Sequence, residues 1–200
     1  MKEESVTTRD IARELARRYS TMTHDELDIL EGVLVPRKYP KGTLILKEGD
    51  LCQSIIYIHR GLLRQFYFKN GKEVTEYLAV DGNIVMCIES LFKEEPTYLQ
   101  IEALENTQLY ELPKTHLEQV ALHNVNIQIL YRKILEESLI ISQVHADLLR
   151  FESAENRYRR LTRQMPQVVL RAPLVHIASY LQMTPETLSR VRTAALMDGK

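Results

Sequence analysis

Glu186, Ser189, Arg190 and Thr193 recur at i, i+3, i+4 and i+7, the spacing that sets four side chains in one row on a helix. Their chemistry matches the edges of base pairs. A glutamate accepts a bond from cytosine N4, and an arginine donates two parallel bonds to guanine or grips a phosphate. Thr184 is a good N-cap for that helix, Pro185 fits its first turn, and Glu186 puts negative charge near the positive end of the helix dipole. Leu188, Val191 and Ala195 would form the buried side. Upstream, a helix opening at Pro173 carries Leu174, Ile177, Ala178 and Leu181 on one face, and Gln182 and Met183 break it. Two helices joined by so tight a turn predict a helix-turn-helix whose second helix lies in the DNA major groove, with the small Ala178 at the crossing. An ordinary helical hairpin, in which Glu186 and Arg190 make only an i,i+4 ion pair, is the alternative. The agreement of cap, crossing residue and outward row favours DNA.

Such a reading head must be held by something. Ile127, Leu130, Ile134, Glu137, Ile141, Val144, Leu148 and Phe151 alternate three and four apart, which predicts a long helix over about 124–151 with a coiled-coil seam. All but Glu137 are apolar and are candidate homodimer contacts, with burial of the same stripe against the rest of the chain as the alternative. A helix from Glu155 to about Met165 would bring Arg157, Arg159, Arg160 and Arg163 towards phosphates, and Pro166 and Pro173 bracket a short hinge or turn. The part 151–200 holds 8 basic and 4 acidic residues against 18 and 23 in 1–150, a basic module on an acidic body. The domain boundary is therefore set near 150.

The first half is organised differently. Residues 7–32 read as two helices, capped at Thr8 and Thr23. From Tyr39 short β-rich runs follow, punctuated by Gly42, Gly49, Gly61, Gly71 and Gly82. Ile55–Ile58, Leu62–Phe68, Val74–Val80 and Gln100–Leu104 read as strands, and Asn70-Gly71 as a tight hairpin turn. Many short strands predict a sandwich or jelly roll. A jelly roll raises metal-dependent catalysis, but His24, His59, His116, His123, His145 and His176 are scattered, and only His59 falls on an expected strand. No metal site, catalytic residue or enzyme activity is expected. Cys52 and Cys87 stand apart, outside any C-x-x-C pattern, and read as buried thiols rather than metal ligands. No signal-like or membrane-length apolar run occurs, so a cytoplasmic protein without a membrane partner is expected.

The run Thr184-x-Glu186-Thr187-x-x-Arg190 resembles the S/T-x-E-T-x-x-R recognition helix of the cyclic-AMP receptor protein/fumarate-nitrate regulator (CRP/FNR) family. The stretch from KGTLILKEGD to YLAVDGNI is similar to that family's sensory β-roll. The resemblance implies an α+β architecture with an amino-terminal antiparallel β-roll, a dimerisation helix and a carboxyl-terminal helix-turn-helix. It implies a transcriptional regulator that works as a homodimer on double-stranded DNA, with RNA polymerase as a further partner. Glu186 and Arg190 would contact bases, and Thr184 and Thr187 phosphates. Ser189 and Thr193 complete the reading row. The chain departs from the family in four places. Gln182 replaces the usual turn glycine, and the β-hairpin wing after the second helix is expected to be short or absent. The amino-terminal cysteines of the oxygen-sensing branch are missing. The phosphate-binding arginine of the cyclic-nucleotide binders is also missing, since Tyr98, Leu99 and Gln100 stand there and no Lys, Arg or His occurs over 94–113. Cyclic AMP is therefore not the expected effector, no cofactor is assigned, and Glu89 is left as a nominal ribose partner. The alternative function is a ligand-binding signalling module whose helical tail contacts proteins.

Overall fold

The computed structural model describes residues 6–197, with the side chains of 195–197 excepted. Two amino-terminal helices, α1 (Thr8–Tyr19) and α2 (His24–Val33), each begin in a reciprocal capping box. The first cap is Thr7 rather than the expected Thr8, because Asp10 stands three residues after Thr7 and returns a bond to its backbone N–H at 3.1 Å. Thr23 caps the second, as expected.

Eight strands follow: β1 (Val35–Tyr39), β2 (Leu44–Leu46), β3 (Ser54–Arg60), β4 (Leu62–Lys69), β5 (Lys72–Val80), β6 (Ile84–Val85), β7 (Gln100–Ala103) and β8 (Thr107–Pro113). They form two four-stranded antiparallel sheets in the orders β1-β8-β3-β6 and β2-β7-β4-β5. This is the jelly-roll-like β-roll predicted above. Its tight hairpin lies at Asn70 and Gly71, both with positive φ (52° and 73°), as a type I′ turn requires. Short helices α3 (Ile88–Lys93) and α4 (Lys114–Ala121) complete this half.

Helix α5 (Val125–Phe151) has 27 residues and is about 40 Å long. Its expected seam divides. Ile127, Leu130 and Ile134 are wholly buried in the chain's own core beside α1 and the β-roll, and Leu148 is buried in a second cluster, so these four cannot meet a partner. Val144 is half-buried, and only Ile141 and Phe151 of the seven remain exposed. Glu137 is not a seam interruption, since it accepts from Tyr19 Oη at 2.6 Å and pairs with Arg18, both on α1. Heptad spacing shows which side of a helix is apolar without saying what covers it.

The carboxyl-terminal part is all helical: α6 (Ala154–Gln164), α7 (Pro166–Arg171), α8 (Leu174–Tyr180) and α9 (Pro185–Met197). The segment expected to be a hinge is α7, a helix started by Pro166 at its first position. These helices do not bury an apolar core of their own. Leu161, Val168, Ile177, Leu181 and Leu188 pack in one cluster with Leu62, Leu78 and Leu104 of the β-roll.

Candidate nucleic-acid interface and effector cavity

Helix α8 ends in a Schellman motif, with the Met183 N–H donating to Ala178 O at 2.9 Å and the Gln182 N–H to Ser179 O at 3.0 Å. The motif needs a left-handed residue, and Gln182 supplies it at φ 50° in place of glycine. Thr184 then caps α9, its Oγ1 accepting from the Thr187 N–H at 3.2 Å. Glu186, Ser189, Arg190 and Thr193 are all exposed, as the row requires, while Leu188 is buried and Val191 half-buried on the opposite side. Thr187 is half-buried and accepts from Arg190 at 3.3 Å, which draws the guanidinium towards the amino-terminal turn of α9. The carboxyl of Glu186 is held below its usual range, first by its own backbone N–H and then by Thr184, so it is an anion at neutral pH. Ile177, Ala178 and Leu181 are buried as expected, but Leu174 is exposed because α8 turns that edge to solvent. The expected packing of Ala195 lies outside the described side chains, and the expectation of a short or absent wing lies outside the described residues. On α6, Arg159 pairs with Glu155 at 2.7 Å and Arg160 with Glu152 at 2.8 Å, so part of the expected cationic face is internally compensated. Arg163 is exposed and Arg157 half-buried.

A cavity of about 360 Å³ opens where β-roll, α5 and the helical tail meet. The β-roll contributes Gln65 and Glu76, α3 contributes Glu89, α5 contributes Ser142 and His145, and the tail contributes Tyr180. No lysine or arginine lines it among the described residues. Arg64 and Lys93 are already paired with carboxylates. Arg64 is buried and bonded to Thr75 at 3.0 Å and Glu73 at 2.6 Å, over the Phe66 ring, and Lys93 donates to Glu89 at 2.6 Å. A buried phosphate would lack countercharge here. The His145 imidazole stacks on the Tyr180 ring, with centroids 4.2 Å apart and planes 8° from parallel. Burial depresses its pKa to about 4, so it is neutral and offers one donor and one acceptor. The cavity therefore suits an uncharged or cationic molecule with hydrogen-bonding groups.

Tyr180 gives this wall to the cavity only because the tail is clamped to the β-roll. Arg171, at the end of α7, donates to Gly61 O at 2.8 Å and to Glu105 Oε1 and Oε2 at 3.2 and 2.7 Å, and it pairs with Asp81. The Ser179 hydroxyl accepts from the Thr75 N–H at 2.8 Å. None of Arg171, Ser179, Tyr180 or His145 stood out as a site in the sequence. The one available signal is a charged residue set in the apolar run Val168 to Ala172 between two prolines.

Residues 36–124 match the family model described as the cyclic nucleotide-binding domain. A curated relative, the cyclic AMP receptor protein of Thermus thermophilus, is 28% identical over 184 residues, covering 88% of this chain and 83% of its own. The chain thus carries a cyclic nucleotide-binding domain and is similar over most of its length to a cyclic AMP receptor protein. Among solved structures, FixK2 of Bradyrhizobium japonicum aligns with a TM-score of 0.73 at 20% identity, covering 84% of this chain and 86% of its own. The c-di-GMP responsive regulator CLP of Xanthomonas campestris aligns at 0.67 and 16%, covering 88% and 93%. At these identities the two structures attest the fold, a β-roll followed by a long helix and a helical tail. No helix among the described residues is long and apolar enough to cross a membrane.

Proposed function

We propose that this CRP/FNR-type chain is a dimeric, sequence-reading transcriptional regulator and not an enzyme. The observation that carries the reading is α9, a capped helix presenting Glu186, Ser189, Arg190 and Thr193 to solvent while its other side is packed. Residues 151–200 are the DNA-binding part, and Thr184 and Thr187 contact phosphate. Residues 1–150 are the sensory part with its dimerisation helix. Double-stranded DNA is the partner, RNA polymerase is a further one, and the work is done in the cytoplasm.

Selection from random duplex DNA at low salt tests this. An enriched inverted repeat with half-sites about 34 Å apart is expected. Arg190→Ala should lose about 1–3 kcal/mol of specific affinity, roughly 5- to 150-fold, and relax preference at one base position. No enriched sequence for the unaltered protein would instead favour a tail that contacts proteins.

The dimer face is the exposed side of α5, where Leu139 and Ile140 are 68% and 62% accessible. Replacing both by glutamate removes four apolar side chains per dimer interface, each worth about 1.5–3 kcal/mol when buried, so the dimer should weaken by about 100-fold or more in sedimentation equilibrium. An unchanged dimer constant would place the interface elsewhere.

The cavity is the effector site, and cyclic AMP is not its occupant. Micromolar cyclic AMP is expected to leave Tm unchanged, whereas ligand bound only to the folded state raises it with concentration. A saturable rise would overturn the exclusion.

A further inference from the structure

Cys52 lies in the loop before β3, and Cys87 is the residue on which α3 begins. They are 35 positions apart in the chain, yet the Cys87 N–H donates to Cys52 Sγ at 3.4 Å, and each thiol shifts the titration of the other. Both are free and buried, at 7% and 1% exposure. Buried thiols in an apolar core are ordinarily inert, and two features set this pair apart. The first is polarity. Cys52 sulfur accepts from the Cys87 side chain and backbone, which outweighs the opposing effect of burial and lowers its pKa to about 7. Contact with Cys52 and burial push Cys87 up, so it stays a thiol and a donor, and the Gln65 amide contacts its sulfur at 3.1 Å. The second is location. Met86 and Ile88, which flank Cys87, and Gln65, which touches it, all line the effector cavity.

We propose that Cys52 and Cys87 form a peroxide-oxidisable dithiol set directly behind the effector cavity. The Cys52 thiolate attacks one oxygen of a hydroperoxide, breaking the O–O bond; the sulfur becomes a sulfenic acid and the departing oxygen leaves as water or an alcohol after taking a proton. Cys87 sulfur then attacks the sulfenic sulfur, an S–S bond forms, and the hydroxyl leaves as water with the Cys87 proton. Two thiols are oxidised by two electrons, and one peroxide is reduced. The bond ties the loop before β3 to the start of α3 and alters the sulfur held by Gln65, so it reshapes the cavity wall.

The test uses the full chain, reduced and then treated with one equivalent of hydrogen peroxide, unfolded in iodoacetamide and weighed. A monomeric chain lighter by two hydrogens, with neither cysteine alkylated and with both recovered after dithiothreitol, is expected. Cys87→Ser should stop at a sulfenic acid trapped on Cys52 by dimedone, and Cys52→Ser should react at least about 10-fold more slowly, in keeping with thiolate control of the rate. Two alkylated cysteines after treatment would overturn the proposal, as would a disulfide between chains. The mass of the unaltered protein decides the matter even if a variant fails to fold.

Discussion

Gly61→Ala is expected to destabilise the protein by about 3–5 kcal/mol, a large part of the total stability of a typical domain. Gly61 sits between β3 and β4 with φ 139°, a conformation that costs an L-residue about 1–3 kcal/mol. A Cβ placed there would lie 2.3 Å from Thr107 Oγ1 and 2.8 Å from its Cβ and Cγ2. Thr107 is itself buried, and relieving such overpacking costs about another 1–3 kcal/mol. The consequence reaches beyond the sheet. Thr107 Oγ1 donates to Glu105 O at 3.0 Å, the Gly61 N–H donates to Asp81, and Gly61 O receives Arg171. One added methyl group thus disturbs the bonds to the Asp81 carboxylate and to the Glu105 backbone, the two residues that hold the helical tail. Urea unfolding of the two proteins measures the loss, and a change below about 1 kcal/mol would show that the loop yields without strain.

Arg171→Ala is the second large effect, expected to cost about 2–4 kcal/mol of docking between tail and β-roll. The guanidinium satisfies two carboxylates and a carbonyl, and its removal leaves Asp81 and Glu105 partly desolvated without a counterion. The lower end of the range allows for solvent screening, because both carboxylates are partly exposed. Loosening should appear as faster amide exchange in α7 and α8 and faster proteolysis near Glu152, with the strands of the β-roll unchanged. Equal exchange in the two proteins would mean that the shared apolar cluster suffices. The clamp also has a pH signature. Partial burial raises the Asp81 pKa, but Arg171, the Gly61 N–H and nearby positive charge lower it further, so the folded-state value lies below the ordinary one near 4. Its contribution is therefore complete above that ordinary value and is lost as pH falls through the lower, folded one. Docking should loosen in acid and stay constant across neutral pH, and Arg171→Ala should remove that dependence.

Both effects concern how the helical tail that ends in α9 is held, and the cavity and the tail share a wall. Tyr180 and Gln182 belong to the segment that leads into α9, and both line the cavity. A molecule placed there touches the helical tail directly, and any preference it has for the docked tail shifts the population of docked chains.

Features closed by short-range interactions were legible in the amino-acid sequence. The Thr23 and Thr184 caps, the Asn70-Gly71 hairpin and the outward row of α9 each depend on residues within a few positions, so composition and spacing carry them. The Schellman turn at Gln182 shows the limit, since hydrogen bonds of the helix end hold a non-glycine residue in the left-handed region. The lack of cations for a phosphate was also readable, because a whole segment lacked them. Tertiary structure alone decided what each apolar or charged side meets. The first half of the α5 stripe, Ile127, Leu130 and Ile134, turned inward because the β-roll and α1 offered it a surface within the same chain, and periodicity is the same whichever surface covers it. Arg171 found Asp81 and Glu105 across 90 and 66 positions, His145 found Tyr180, and Cys52 found Cys87. Such contacts form when separate elements dock, and no local spacing records them.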